Sequence, residues 1–330
     1  MKDLHPSLLA AALSLAGPAP DASWGAWRAW RDQADIQALS WPEIQFLPLL
    51  HGPRLHAWLA NDEAAGVLRG IVRRAWAEAQ VRLALAQDLS ERLARAGCGP
   101  VTMTGSAGLH LRNRPRNAIR PISGIELLIP RDSLHEAAEL AMGQGWQLYG
   151  EMPAGEALDW CRQISLHRDG ASLLLQWRVL NVPPDLARGC EAEFLRSVET
   201  IEVQGCAWRI LDATHALLEA LAKTAAPNEA DTIPWQADCA LLLQEGIDWE
   251  RCRLLAQIYH PSAFDRLANL RELGLAVPAL LPALVPGLGP DMARETVPRA
   301  PMRHYAAGLR RWVRRARKGA RRLLPAGERV

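Results

Sequence analysis

The residues whose types and spacing can do chemistry gather in the middle of the chain. Thr104-Gly105-Ser106 is a small-residue turn, and successive backbone N–H groups in such a turn can face an anion. A dense cationic stretch follows at Arg112, Arg114, Arg116 and Arg120, and guanidinium groups there favour an anion such as phosphate. Glu126 stands in the apolar run Ile125-Glu126-Leu127-Leu128-Ile129, where a carboxylate must meet a cation, a metal or a donor. Plainer readings exist for each. Gly-Ser is a common turn, loop arginines are usually solvated, and Arg120 is the expected partner of Glu126 if no metal binds. His167 is placed to act as a general base or simply to stand half-exposed on a strand, while His110, His215 and His260 lack metal-ligand spacing. Trp235 and Asp238 read as helix packing and capping, and the scattered tryptophans, with Trp24, Trp27 and Trp30 at helical spacing, as core or partner contacts.

These residues need elements to position them. Residues 64–96 carry Leu68, Val72, Ala79, Leu83, Leu89 and Leu93 at helical intervals, and Gly97-Cys98-Gly99-Pro100 ends that helix. Short β-branched runs at 100–103 and 125–129 predict buried strands, joined by a polar loop that holds the arginines. A helix is expected over 133–142, capped by Asp132 or Ser133 and stopped by Gly143 and Gly145. Hairpins follow around Arg168-Asp169-Gly170 and Gln204-Gly205. From Asp212, a helix cap, helical spacing returns through 235–244, 248–258 and 263–273. Helices, a small mixed sheet and helices again make the fold class α+β rather than a doubly wound sheet.

Several motifs, in order, carry a family resemblance. Thr104-Gly105-Ser106 is followed by Arg120-Pro121-Ile122-Ser123-Gly124-Ile125-Glu126-Leu127-Leu128-Ile129-Pro130, then by Gly145-Trp146, Leu174-Leu175-Gln176-Trp177, and Trp235, Asp238, Asp248 and Trp249. Over roughly residues 40 to 285 the sequence resembles the bacterial uncharacterised nucleotidyltransferase family, of the polymerase-β type. In that fold a Gly-Ser turn holds nucleotide phosphates, and the next strand carries acid-x-acid, aiming both carboxylates at shared divalent metals. Carried over by position, the first acid is Gly124, the second Glu126 and the third Leu174, while the family's lysine is Thr104 and its histidine Gln176. The resemblance implies transfer of a nucleoside monophosphate from NTP to an acceptor, with Gly105, Ser106, Arg116 and Arg120 on the nucleotide and Glu126 on Mg²⁺. It equally admits a degenerate member that binds a nucleotide or a protein partner without turnover, in a surface-polysaccharide or peptide-modification setting. The implied layout is an N-terminal helical region at 1–96, the nucleotidyltransferase-like core at 97–211, a C-terminal helical region at 212–300, and a tail at 301–330.

Charge adds one asymmetry. The net charge of +2 hides a tail, residues 301–330, whose ten basic side chains face only Glu328, so residues 1–300 sum to about −7. The tail can form a basic amphipathic helix suited to an anionic membrane surface, an acidic protein or nucleic acid, or it can be a solubilising tail. Six cysteines without C-x-x-C spacing read as buried free thiols in a reducing compartment. The apolar start reads as an ordinary first helix rather than a signal peptide. No run reaches the ~20 apolar residues of a membrane span. The expected location is therefore cytoplasmic, with the tail as a route to the inner membrane's surface.

Overall fold

The sequence pattern resolves into alternating helical and extended segments in a computed structural model, which describes residues 4–16, 20–50, 53–113, 119–223 and 231–279. Arg114, Arg116 and the basic tail at 301–330 lie outside the described residues. The N-terminal part holds α1 (Pro6–Ala16), α2 (Pro20–Arg31), α3 (Trp41–Phe46), α4 (Pro53–Trp58) and the long α5 (Ala65–Arg95). Trp27 and Trp30 are buried here, and Trp27 stacks on Trp58 with ring centroids 5.4 Å apart. The end of α5 is fixed by backbone chemistry. Gly97 takes φ 79°, its N–H donates to Ala94 O at 3.1 Å, and Cys98 N–H donates to Leu93 O at 3.0 Å. That pair of bonds is the Schellman closure, which a residue bearing Cβ adopts only with strain.

The middle of the chain adds β1 (Thr102–Met103), α6 (Gly105–Asn113), β2 (Ile125–Leu128), α7 (Leu134–Gly143), β3 (Gln147–Tyr149), α8 (Ala157–Trp160), β4 (Gln163–Arg168), β5 (Ala171–Gln176), α9 (Pro184–Arg196), β6 (Val198–Val203) and β7 (Cys206–Leu211). The strands form one seven-stranded mixed sheet in the order β3-β4-β5-β2-β1-β7-β6. Each expected hairpin closes on two residues of positive φ, Asp169 (49°) with Gly170 (76°) and Gln204 (55°) with Gly205 (76°). Such turns match the right-handed twist of the flanking strands. The final helices are α10 (Ala213–Ala222), α11 (Trp235–Leu242), α12 (Trp249–Tyr259) and α13 (Ala263–Glu272). Asp212 caps α10 by accepting from His215 N–H at 2.9 Å, and Asp248 caps α12 by accepting from Arg251 N–H at 3.0 Å.

Strand alternation sorts the core onto two faces. Ile125, Leu127 and Ile129 pack with Leu89 and Leu93 of α5 and with Ala137 and Ala141 of α7. Leu128 faces the other way, into a cluster with Phe194 of α9, Leu217 and Leu221 of α10, and Leu255 of α12. Glu126 therefore lies on the second face, toward α10. The first two turns of α5 join the N-terminal tryptophan cluster instead, together with Ile119, Ile233 and Ala237.

Four expectations are corrected. The arginine stretch is not all loop, because α6 begins directly at Gly105; every residue from Ser106 to Asn113 is buried, so the helix presents no polar face to betray its period. Helix α7 has no side-chain cap from Asp132 or Ser133, since a 3-10 turn at Arg131–Ser133 leads into it and supplies backbone partners. All six cysteines are free, but only Cys98, Cys190, Cys239 and Cys252 are buried; Cys161, at the end of α8, is exposed and Cys206 is intermediate. The fourth concerns Arg120, at the site below. Among the described residues, no helix is long and apolar enough to cross a membrane.

Candidate functional site

Strand β1 ends at Met103, and the chain turns at once into α6, so the free amides of that helix emerge at the edge of β2. Thr104 N–H closes the ladder onto Glu126 O at 3.0 Å. Gly105 has φ 56°, and its N–H donates to both carboxylate oxygens of Glu219, each at 3.0 Å. Ser106 N–H donates to Glu126 Oε1 at 3.4 Å. The first two amides of one helix thus meet two carboxylates, from β2 and from α10. A helix N-terminus attracts anions through its unpaired donors and its dipole, so this is where a phosphate would also be drawn. The Ser106 hydroxyl is used locally: it reaches Gly124 O at 3.4 Å and receives Ser123 N–H at 3.1 Å.

Glycine at position 105 is demanded by shape. A Cβ there would lie 2.1 Å from Glu126 Oε1 and 2.3 Å from Oε2, so the carboxylate fills the space that a side chain would take. Gly105→Ala should therefore displace Glu126 as well as strain the turn. We expect a stability loss of about 1–2 kcal/mol from the positive φ. A Gly105→Ala protein whose urea unfolding free energy matches the wild type would contradict both effects.

Electrostatics distinguish the two acids from their neighbours. Burial, and then the charge of Glu126, push the Glu219 carboxyl up to about 8. Burial likewise raises Glu126, with Asp231 adding to the shift, while Arg162 and the Ser106 N–H oppose it. Asp231 goes the other way: burial resists, but Arg120 and Lys223 hold it far below the usual carboxylate range. A stability profile follows for the metal-free protein. Between the ordinary value of 4.5 and about 8, folded Glu219 binds more protons than the unfolded chain does, so stability falls as pH rises through that window. Glu219→Gln cannot titrate, and its unfolding free energy from urea titration should exceed that of the wild type by about 1 kcal/mol or more near the alkaline end. A difference between the two proteins that stays constant from about pH 5 to about pH 8.5 would contradict this assignment.

The sequence-derived residues divide. The structure brings Gly105, Ser106 and Glu126 together, whereas Arg116 lies outside the described residues. Arg120 is corrected: it contacts neither Glu126 nor an open surface. It is 1% exposed, and its Nε and Nη2 grip Asp238 at 2.7 and 3.0 Å. Nη2 also reaches Asp231 at 2.8 Å, and Nη1 donates to Pro121 O at 2.7 Å. With its donors so engaged, Arg120 is a buried strut. Arg112 is likewise committed, to Glu245, to Leu211 O and, at 2.7 Å, to Glu199. Asp238, 1% exposed, does not cap α11; it pairs with Arg120 and, at 3.2 Å, with Lys223. His167 sits on β4, edge-on to Tyr149 at 5.7 Å, two strands from Glu126.

Leu174 is the direct partner of Glu126 on the parallel neighbour β5, and Gln176 donates its amide to Thr104 Oγ1. The positions carried over from the resemblance therefore surround Glu126 in space. The sequence reading missed Glu219, Lys223, Asp231 and Arg162. One signal was available: Glu219 interrupts Leu217, Leu218, Ala220 and Leu221, all buried on α10, and so places a carboxylate among core residues.

Among the described residues no group of three or more His, Cys, Asp or Glu is arranged to hold a metal ion. The two carboxylates do fit Mg²⁺, which commonly takes one or two carboxylates and fills its other positions with water and substrate phosphates. They do not form an all-protein cage.

A family model described as "Uncharacterised nucleotidyltransferase" matches residues 48–268. No curated protein sequence matches the chain. Among solved structures, the crystal structure of the Megavirus polyadenylate synthase shares 15% identity with a TM-score of 0.33, over 60% of this chain and 39% of that one. The chain thus spans about two-fifths of that protein's length.

Proposed function

The chain belongs to the uncharacterised nucleotidyltransferase family, whose model spans most of it, and from that premise we propose that it transfers a nucleoside monophosphate from an NTP to an acceptor hydroxyl. One observation carries the reading: at the mouth of α6 the Gly105 amide meets the Glu219 carboxylate, and the Ser106 amide meets that of Glu126 at the edge of β2. Phosphate oxygens suit those amides, and Glu126 with Mg²⁺ suits the neighbouring phosphates. Bound Mg²⁺ would supply charge neutralisation of the triphosphate and a polarised phosphorus centre. The chain's own part is to orient the triphosphate along the helix N-terminus and to keep the reacting end against the sheet.

The test is transfer of labelled NMP from each of the four common NTPs in the presence of Mg²⁺ or Mn²⁺. Glu126→Gln should lower the rate by about a hundredfold or more, in line with the loss of a principal electrostatic group. Equal rates in the two proteins would remove Glu126 from the chemistry and the reading with it.

A second reading is favoured by one specific residue. Leu174 stands beside Glu126 where the family's third acid belongs, and an aliphatic side chain neither binds metal nor accepts a proton. A protein that binds NTP at Gly105 and Ser106 but transfers nothing would fit that substitution. Retention of NTP with no labelled product decides for it.

A further inference from the structure

We propose that Glu219, on α10, is the second carboxylate of the cation site, supplying from a helix the charge that Gly124 and Leu174 do not supply from the strands. The inference rests on the nucleotidyl-transfer reading and deepens it. Glu126 and Glu219 touch the same glycine from different elements. Both oxygens of Glu219 lie 3.0 Å from Gly105 N, and both oxygens of Glu126 lie within 2.3 Å of where a Gly105 Cβ would stand. Two carboxylates gathered on one residue repel each other unless a cation or a proton lies with them.

The nearby cations are otherwise engaged. Arg120 is spread over Asp238, Asp231 and Pro121 O, and Lys223 holds Asp231 at 2.8 Å and Asp238 at 3.2 Å. Arg162 acts on both carboxylates only through its charge, with Nη1 donating to Val179 O at 2.8 Å. A further buried oxygen is tied to this turn through Thr104. Gln176 is fully buried, its nitrogen donates to Thr104 Oγ1 immediately before Gly105, and its Oε1 has no partner. Two carboxylates and an amide oxygen are hard donors, the set that Mg²⁺ or Mn²⁺ prefers.

The geometry adds a consequence for the nucleotide. The Gly105 amide, the first at the mouth of α6, is held by Glu219 in the absence of ligand. Glu219 and a phosphate compete for it, so replacing the Glu219 carboxyl should favour bare NTP while weakening its partnership with a cation.

The experiment measures, for the full chain, the affinity for ATP, CTP, GTP and UTP in turn, each with excess EDTA and each with Mn²⁺. In the wild type Mn²⁺ should tighten binding of at least one NTP by about tenfold or more. In Glu219→Gln that gain should shrink to about threefold or less, as it should in Glu126→Gln, while affinity for the metal-free NTP is kept or increased. Adding Gly124→Asp to Glu219→Gln should restore the gain, because a Cβ at Gly124, just before β2, would meet Ser172 Cβ at 3.6 Å, two residues before Leu174 on β5. A restored gain also shows that the Glu219→Gln chain is folded. An undiminished gain in Glu219→Gln would overturn the role of Glu219 and leave the nucleotidyl-transfer reading standing. No binding of any NTP by the wild type, with or without Mn²⁺, would overturn that reading and this inference together.

Discussion

Arg120→Leu should destabilise the protein by about 3–5 kcal/mol, the cost of breaking a buried ion pair by removing one partner. Arg120 and Asp238 are each only 1% exposed and meet through two bonds, 2.7 and 3.0 Å long. Their charges leave water together on folding, so deleting the guanidinium leaves the buried Asp238 with Lys223, at 3.2 Å, as its remaining cation. The environment raises Arg120 further above its ordinary value: burial opposes the charge, but Asp231 and Asp238 outweigh it. Removing both charges provides an internal control. Arg120→Met with Asp238→Leu removes both charges, and Asp231 keeps Lys223 at 2.8 Å, so the double variant should regain most of the loss. Urea midpoints of the three proteins check both statements. A single variant within about 1 kcal/mol of the wild type would mean that the pair is not desolvated as its burial implies.

That pair also shows why part of the site was illegible in the sequence. Local rules carried the long α5, whose apolar spacing and Gly97 closure are adjacent in the chain, and both hairpins, whose turns are written in Asp169-Gly170 and Gln204-Gly205. The neighbourhood of Gly105, Ser106 and Glu126 followed from the order of the motifs. The partners of Arg120 could not follow in this way, because Asp238 lies 118 positions away and no periodicity links the two. Helix α6 was hidden by its own burial, since a helix enclosed on all sides shows no amphipathic stripe. Glu219 was hidden by the opposite bias. In a single helix a glutamate reads as a solvent-facing residue, and only the packing of α10 against the sheet reveals that it points inward to Gly105.

The largest gain of activity is expected from restoring the two strand acids together, Gly124→Asp with Leu174→Glu. Gly124 is not at a positive φ, and a Cβ there would meet Ser172 O at 3.5 Å and Ser172 Cβ at 3.6 Å, which is ordinary contact. Residue 124 lies two positions before Glu126, just outside β2, and the parallel register sets residue 174 beside Glu126. Leu174 is only partly buried, so a carboxylate at that position keeps some access to water. Without a cation the variant crowds four acids around Gly105 and should melt below the wild type, because like charges there repel. With Mg²⁺ the order should reverse, since each added oxygen ligand strengthens cation binding to the folded state alone. Transfer of labelled NMP should rise by about a hundredfold over the wild type, a gain of about 2.7 kcal/mol in transition-state stabilisation. If Mg²⁺ neither stabilises the variant nor speeds transfer, absent acids are not what limits the site, and the close approach of Glu219 to the Gly105 amide becomes the remaining barrier to nucleotide entry.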